Sequence, residues 1–289
     1  MSIKIMTDSA CDLPYNYVKE NGIGLVSLTV NIKGEFYKDD LGQTISYDEF
    51  YKIIRSGEIT STAQVNVYTF EEAFRKEIRE GNSVIYIGLA SVLSGTVNSA
   101  RIARDNILEE YPDAKIQVID SKSVTLGEGL LVYYAQEMLK EGKDYDEIVR
   151  WIEINRAKLQ HAIILEDLEH LKRGGRISST TAVVGGILGV KPSLKLDPEG
   201  NVNSGPKFKG RKRAVGYLLK ELEEKSVDLE NQVIFIAHAD CIKEAESLKN
   251  KIIENFKVKD IIINNIGAVI GTHGGADAMA ILFLGLDRE

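Results

Sequence analysis

Cysteine is nearly absent from this chain: Cys11 and Cys241, far apart in sequence, are the only two in 289 residues. That excludes a disulfide framework and paired CxxC zinc knuckles, and the expectation is two reduced thiols. No apolar run approaches the roughly 18 residues that a membrane-spanning helix needs. Residues 1–6 carry one lysine, and Asp8 and Asp12 follow before any apolar stretch of signal-peptide length. The expected location is therefore the cytoplasm, without membrane insertion. Positive charge is also in short supply, since 36 Lys+Arg against 43 Asp+Glu leave a formal charge of −7. A nucleic-acid binder would need the opposite balance to displace phosphate counterions, so no nucleic acid is expected. The GxxxxGK[ST] pattern is missing, and the glycines at 185, 186 and 189 neither have GxGxxG spacing nor follow a first βα unit. A phosphate-binding loop and a nicotinamide cofactor are both unsupported. His161, His170, His238 and His273 lack metal-ligand spacing, so no metal is expected.

What remains is an ordinary globular composition, 44% apolar and 27% charged. The length favours two domains over one. Residues 3–7 read as a strand, and Asp12-Leu13-Pro14 opens a helix, with proline in the first turn. Residues 25–32 form a second β-rich run, followed by an exposed connection over 34–42. Ser46-Tyr47-Asp48-Glu49 is a capping box, and Thr69-Phe70-Glu71-Glu72 announces a further helix, with a polar loop at 59–68 between the two. The apolar run 83–89 is a strand buried on both faces, leading through Ser94-Gly95-Thr96 into a helix that ends at 110. A strand at 116–120 and a helix at 129–141 complete a parallel α/β unit with helices on both faces and right-handed crossovers. Ligands in such sheets sit beyond the carboxyl ends of the strands.

After about residue 160 the pattern changes. Strands are expected at 161–165, 191–196, 202–209, 232–237, 259–264 and 278–284, and helices at 168–172, 180–188, 213–225 and 242–256. Asp197-Pro198-Glu199-Gly200 reads as a hairpin turn, so the second sheet should be mixed. The expected fold is α/β in two domains, 1–160 with a parallel sheet and 161–289 with a mixed one.

Several segments can carry chemistry, each beside a plainer reading. At Ser94-Gly95-Thr96 free N–H groups, two hydroxyls and a helix dipole converge, which suits an anion. The same hydroxyls serve as ordinary helix caps, and the motif specifies a charge without specifying a ligand. Thr60-Ser61-Thr62-Ala63-Gln64 offers three hydroxyls and an amide, or simply turn chemistry. His273, between Gly271 and Gly275, permits close backbone approach and a hydrogen bond to an anion, and a structural role fits equally. Lys172-Arg173-Gly174-Gly175-Arg176 surrounds two glycines with cations, and Arg176 can bind a carboxylate in bidentate fashion or sit in a solvated turn. Residues 207–213 hold five basic residues in seven, an anionic-partner surface or an exposed loop. Ser94 and His273 also admit a hydrolase reading, but GxSxG is missing and no acid can be assigned as a third member.

Taken in order, Thr7-Asp8-Ser9 with Asp12-Leu13-Pro14, the Thr62 loop, Leu93-Ser94-Gly95-Thr96, residues 171–178, Gly189-Val190-Lys191-Pro192 and Gly271-Thr272-His273 resemble the motif series of the DegV family over residues 3–285. The resemblance implies one long-chain fatty acid buried between the two domains and no cofactor of the protein's own. It implies that Thr62 and Ser94 hold the carboxylate, that His273 stands near the head group, and that Arg176 belongs to the same end. It further implies a fatty-acid-binding subunit without its own nucleotide site, serving a separate ATP-binding kinase subunit that makes an acyl phosphate. Lys207, Lys209 and Arg211 are the expected docking residues. The alternatives are a lipid-responsive regulator or transport protein without a kinase, and a Ser94-dependent hydrolase. Two family prolines are replaced here: Thr62-Ala63-Gln64-Val65 stands for Thr-Ser-Gln-Pro, and His273-Gly274-Gly275-Ala276-Asp277 for His-x-Gly-Pro-Gly. Their loss bears on pocket shape, and Asp277 brings a negative charge towards the carboxylate site if it points inward.

Overall fold

A computed structural model describes residues 2–177 and 189–288. The expected helix at 180–188, together with Ser178, lies outside them. β1 (Ser2–Asp8) ends in a single 3-10 turn, Ser9–Cys11, and α1 (Tyr15–Glu20) begins directly after Pro14. The β-rich run 25–32 is two strands in two different sheets, β2 (Gly24–Val26) and β3 (Thr29–Ile32). The break falls at Leu28, whose N–H is taken by the Ser9 hydroxyl instead of a sheet partner. The supposed connection 34–42 contains β4 (Glu35–Lys38) and then buries Asp39 and Leu41.

α2 (Tyr47–Arg55) is capped by Ser46, as its sequence indicated. The polar segment that follows contains a strand, β5 (Thr60–Ala63), paired antiparallel with β3. Alternation is weak there because the four residues carry only small side chains. α3 (Val67–Arg79) starts two residues before Thr69, with Asn66 as its cap. β6 (Asn82–Gly88), α4 (Thr96–Glu110) and β7 (Ile116–Asp120) follow as expected, α5 (Leu126–Lys140) starts three residues before the expected 129, and α6 (Tyr145–Asn155) is an additional helix opened by the Asp144–Glu147 capping box.

Beyond it come β8 (Leu159–Ile164), α7 (Glu169–Arg173), β9 (Val190–Leu196), β10 (Val202–Lys209), α8 (Arg211–Lys225), β11 (Val233–His238), α9 (Ile242–Asn255), β12 (Asp260–Asn265), α10 (Ala268–Gly274) and β13 (Met279–Leu284). The strands make a parallel sheet β2-β1-β6-β7, a mixed sheet β10-β9-β8-β13-β11-β12, and a small antiparallel sheet β4-β3-β5. The first draws only on residues before 121 and the second only on residues after 158.

α5 explains how the two larger sheets meet. Residues 126–132 are buried all round, and the helix touches β1 and β6 on one side and β8, β11 and β13 on the other. Gly129 permits this approach, since a Cβ there would lie 2.5 Å from the Cys11 carbonyl oxygen. α8 and α9 cover the mixed sheet with a second apolar cluster around Leu218, Leu248 and Phe283.

Candidate functional site

A cavity of about 410 Å3 opens between the sheets, within the roughly 300–1,000 Å3 typical of small-molecule sites. Its described walls come from β5, the β6–α4 loop, the start of α5, β8 to β10 and α10. Among the described lining residues six have polar side chains, namely Thr62, Gln64, Ser94, Thr125, Arg176 and His273, and the others are aliphatic residues or glycine. The four residues singled out as head-group ligands, Thr62, Ser94, Arg176 and His273, therefore share one cavity.

Contacts tie most of these polar groups into one end. Thr62 stands opposite Val30, on the buried face of the small sheet, and its Oγ1 lies 2.9 Å from His273 Nε2. Gln64, two residues on, donates to Ser99 Oγ and lies so close to Gly95 that a Cβ there would meet Gln64 Oε1 at 2.1 Å. Ser94 Oγ is 2.9 Å from Thr96 Oγ1 and accepts from the Thr96 N–H at 3.3 Å, so it shares in capping α4 while lining the cavity. Arg176 donates through Nε to the Leu93 carbonyl (3.2 Å) and through a terminal nitrogen to that of Gly174 (2.6 Å), joining the β6–α4 loop to the turn after α7. Gly174 in turn abuts the imidazole, since a Cβ there would lie 2.1 Å from His273 Nδ1.

His273 is not in a glycine turn; it occupies the last turn of α10. Glycine at 271 lets that short helix lie against Tyr51 and Phe50, which a Cβ would meet at 2.7 and 2.8 Å. Burial, with the charge of Arg176 and then His170, lowers the His273 pKa to about 4, so the ring is neutral at pH 7. When Nε2–H donates to Thr62 Oγ1, the Thr62 hydroxyl proton is left for an acceptor in the cavity. The reverse arrangement would leave that pair with nothing to offer an anion, so an anionic ligand selects the first.

Supporting residues that sequence reasoning did not assign sit just behind these. Asp8 accepts from Tyr86 Oη (2.7 Å), Leu89 N (3.1 Å) and Ala10 N (3.0 Å), which fixes the exit of β6. Burial raises its pKa against those hydrogen bonds. Ser91 is not among the described lining residues of the cavity and binds Asp120 through both its hydroxyl and its N–H. Asp12 and Asp39 accept from Gly267 N (2.9 Å) and Val269 N (3.2 Å) at the start of α10. The only sequence hint of the Asp8 and Asp12 roles was their place in the first motif; for Asp39 there was none.

Asp277 is turned to Arg55, which donates to both its oxygens at 2.8 Å and also binds Asp240 at 3.0 Å. That pairing holds the Asp277 carboxyl below its usual range and removes the concern over an inward negative charge. Lys207 and Lys209 are exposed on β10, the edge strand of the mixed sheet, and have no ion-pair partner among the described residues. Arg211 differs, because it is half-buried in the first turn of α8 and bound to Glu244 at 2.8 Å. Among the described residues no group of His, Cys, Asp and Glu is arranged to hold a metal ion, and no helix is long and apolar enough to cross a membrane.

The same architecture and sequence pattern occur in known proteins. The DegV family model matches residues 2–285. A DegV domain-containing protein of Clostridium perfringens is 46% identical over 285 residues, covering 99% of this chain and 98% of the relative. Among solved structures, a DegV family protein from Thermus thermophilus, described for its fatty acid binding, superimposes with a TM-score of 0.88 at 29% identity over 99% of this chain and all of the other. DegV of Bacillus subtilis, described as a fatty acid binding protein, gives 0.86 at 27% identity over 99% of each chain. A stearic acid-binding protein from Eubacterium ventriosum gives 0.87 at 27% identity over 98% of each. With its model spanning nearly every residue and a relative of this identity aligned end to end, the chain belongs to the DegV family.

Proposed function

We propose that this protein binds one long-chain fatty acid between an N-terminal domain, 1–160, and a C-terminal domain, 161–289, and presents its carboxylate to a separate ATP-dependent kinase subunit in the cytoplasm. The observation that carries the reading is the polarity of the cavity: among the described residues, Thr62, Gln64, Ser94, Arg176 and His273 are linked by contact at one end, and the other walls are aliphatic or glycine apart from Thr125. A carboxylate matches the first and an acyl chain the second. Burial of each methylene contributes roughly 0.8 kcal/mol, so a long chain contributes on the order of 10 kcal/mol before ordering costs, and the head-group donors need only orient it. The solved relatives described as fatty acid binding support the same ligand class.

The chemistry assigned to the partner is transfer of the γ-phosphoryl group of ATP to the carboxylate oxygen, leaving ADP and an acyl phosphate. Ser94 and Arg176 are half-buried and not sealed from solvent, which is compatible with access by a partner. Lys207 and Lys209 lie beside Arg211, Lys212 and Arg213 at the start of α8, where the helix dipole disfavours cations, so an anionic partner surface would relieve the repulsion. The hydrolase reading is disfavoured by geometry: His273 Nε2 is bound to Thr62, and among the described residues its Nδ1 has no acid partner. Among the described residues a serine–histidine contact does occur elsewhere, Ser123 with His161 at 2.6 Å, but it is buried. Mixing the lipid-loaded protein with a cognate ATP-binding subunit should give acyl phosphate that depends on both proteins. Lipid binding without any acyl phosphate would leave a carrier or regulator and end the kinase assignment.

A further inference from the structure

Among the described lining residues Thr125 is the one polar residue outside the head-group cluster, and its backbone is unusual. It lies at φ 51°, ψ −145°, a conformation that glycine adopts readily and a β-branched residue rarely does. Such an outlier persists only where the surroundings over-determine it. Here the Thr125 hydroxyl donates to Asp12 Oδ2 at 2.5 Å. The other oxygen of the same carboxylate accepts the Gly267 N–H at 2.9 Å, and the Asp12 carbonyl accepts from Asn264 Nδ2 at 2.7 Å. Gly267 has no room for a side chain, since a Cβ would lie 2.5 Å from Asp12 Oδ1. Asp12 is itself held in the left-handed region at φ 51° and is fully buried, so its carboxylate has no solvent to turn to.

One side chain thus joins three parts of the cavity: the loop after β1, the strained wall at the start of α5, and the corner from which α10 runs to His273. We infer that Asp12 is a positioning residue for the ligand cavity, holding Thr125 in the wall and setting the origin of the helix that carries His273 to Thr62. This rests on the reading of the cavity as a fatty-acid site. Asp12 touches no ligand in this account and acts through Thr125 and α10.

The test uses the full-length delipidated protein and stearic acid as probe, with affinity read by displacement of a fluorescent fatty acid. Wild type should bind, and Asp12→Ala should bind about tenfold more weakly. Asp12→Asn should stay close to wild type, because its carbonyl still accepts from Gly267 and its amide can donate to Thr125 Oγ1. Asp12→Ala/Thr125→Gly should recover part of the loss, since glycine holds that backbone without a tether. Thr125→Val cuts the same link without removing a charge and should weaken binding by a similar factor, which keeps the test open if Asp12→Ala fails to fold. Ile252→Val, in the separate cluster under α9, lowers stability and should leave affinity unchanged. Failure of wild type to bind would refute the fatty-acid reading itself. Wild-type binding together with unchanged affinity in Asp12→Ala or Thr125→Val, or no recovery in the double variant, would overturn the inference.

Discussion

At the scale of single residues, the proposed head-group end is one whose hydrogen bonds an anion would complete. Thr62→Ala and Ser94→Ala should each weaken fatty-acid binding by about 1–3 kcal/mol, the cost of leaving a charge-assisted bond unmade, as calorimetric titration would show. Unchanged affinity in both would put the carboxylate elsewhere. Two buried groups also set opposing pH dependences. The His273 pKa is lowered to about 4 from an ordinary 6.5, so its contribution to stability is complete above pH 6.5 and is lost as pH falls through 4. Burial raises Asp39 to about 7 from 3.8, so its contribution is present below 3.8 and is lost as pH rises through 7. Between pH 4 and 6.5 the two slopes oppose and largely cancel, so for these two groups the wild-type denaturation midpoint should vary little there. His273→Asn should then expose the fall towards neutrality set by Asp39, and Asp39→Asn the fall towards acid set by His273.

At the scale of elements, the close seating of α7 on α10 depends on a glycine. Gly174→Ala would drive a Cβ to 2.1 Å from His273 Nδ1, on a ring whose other nitrogen is fixed by Thr62. Overpacking of this kind costs about 1–3 kcal/mol, and the variant should lose ligand affinity along with stability. A variant as stable and as tight-binding as wild type would show that the two turns part easily. What could be read from sequence follows the same physics. Apolar runs such as 83–89 and capped helices such as α2 declare themselves locally. β5 did not, because Thr60, Ser61, Thr62 and Ala63 are strand residues only by virtue of pairing with β3. α10 did not either, since two glycines in seven residues read as a turn until Tyr51 and Phe50 supply the surface it lies on. Thr62, Ser94, Arg176 and His273 were legible through ordered motifs, but their meeting in one cavity is a property of the tertiary fold. Asp39 could not be read at all, because its role is a contact made across 230 residues.

At the scale of the whole molecule, the proposed reading puts ligand holding and partner contact on different surfaces. Replacing Lys207 and Lys209 with alanine should spare lipid binding and lower acyl-phosphate formation by the kinase pair, with intact coupling arguing against docking on β10. Arg211 is best varied separately, because its removal also breaks the bond to Glu244. The two large sheets, joined by α5, enclose an aliphatic cavity with a polar end, and the central claim is that a long-chain fatty acid fills it. Mass spectrometry of ligand extracted from the purified protein, followed by titration of the delipidated protein with added fatty acid, tests this most directly. The account predicts a long-chain carboxylic acid at one molecule per chain and stoichiometric rebinding. Recovery of no lipid, with no binding of added acid, would contradict it.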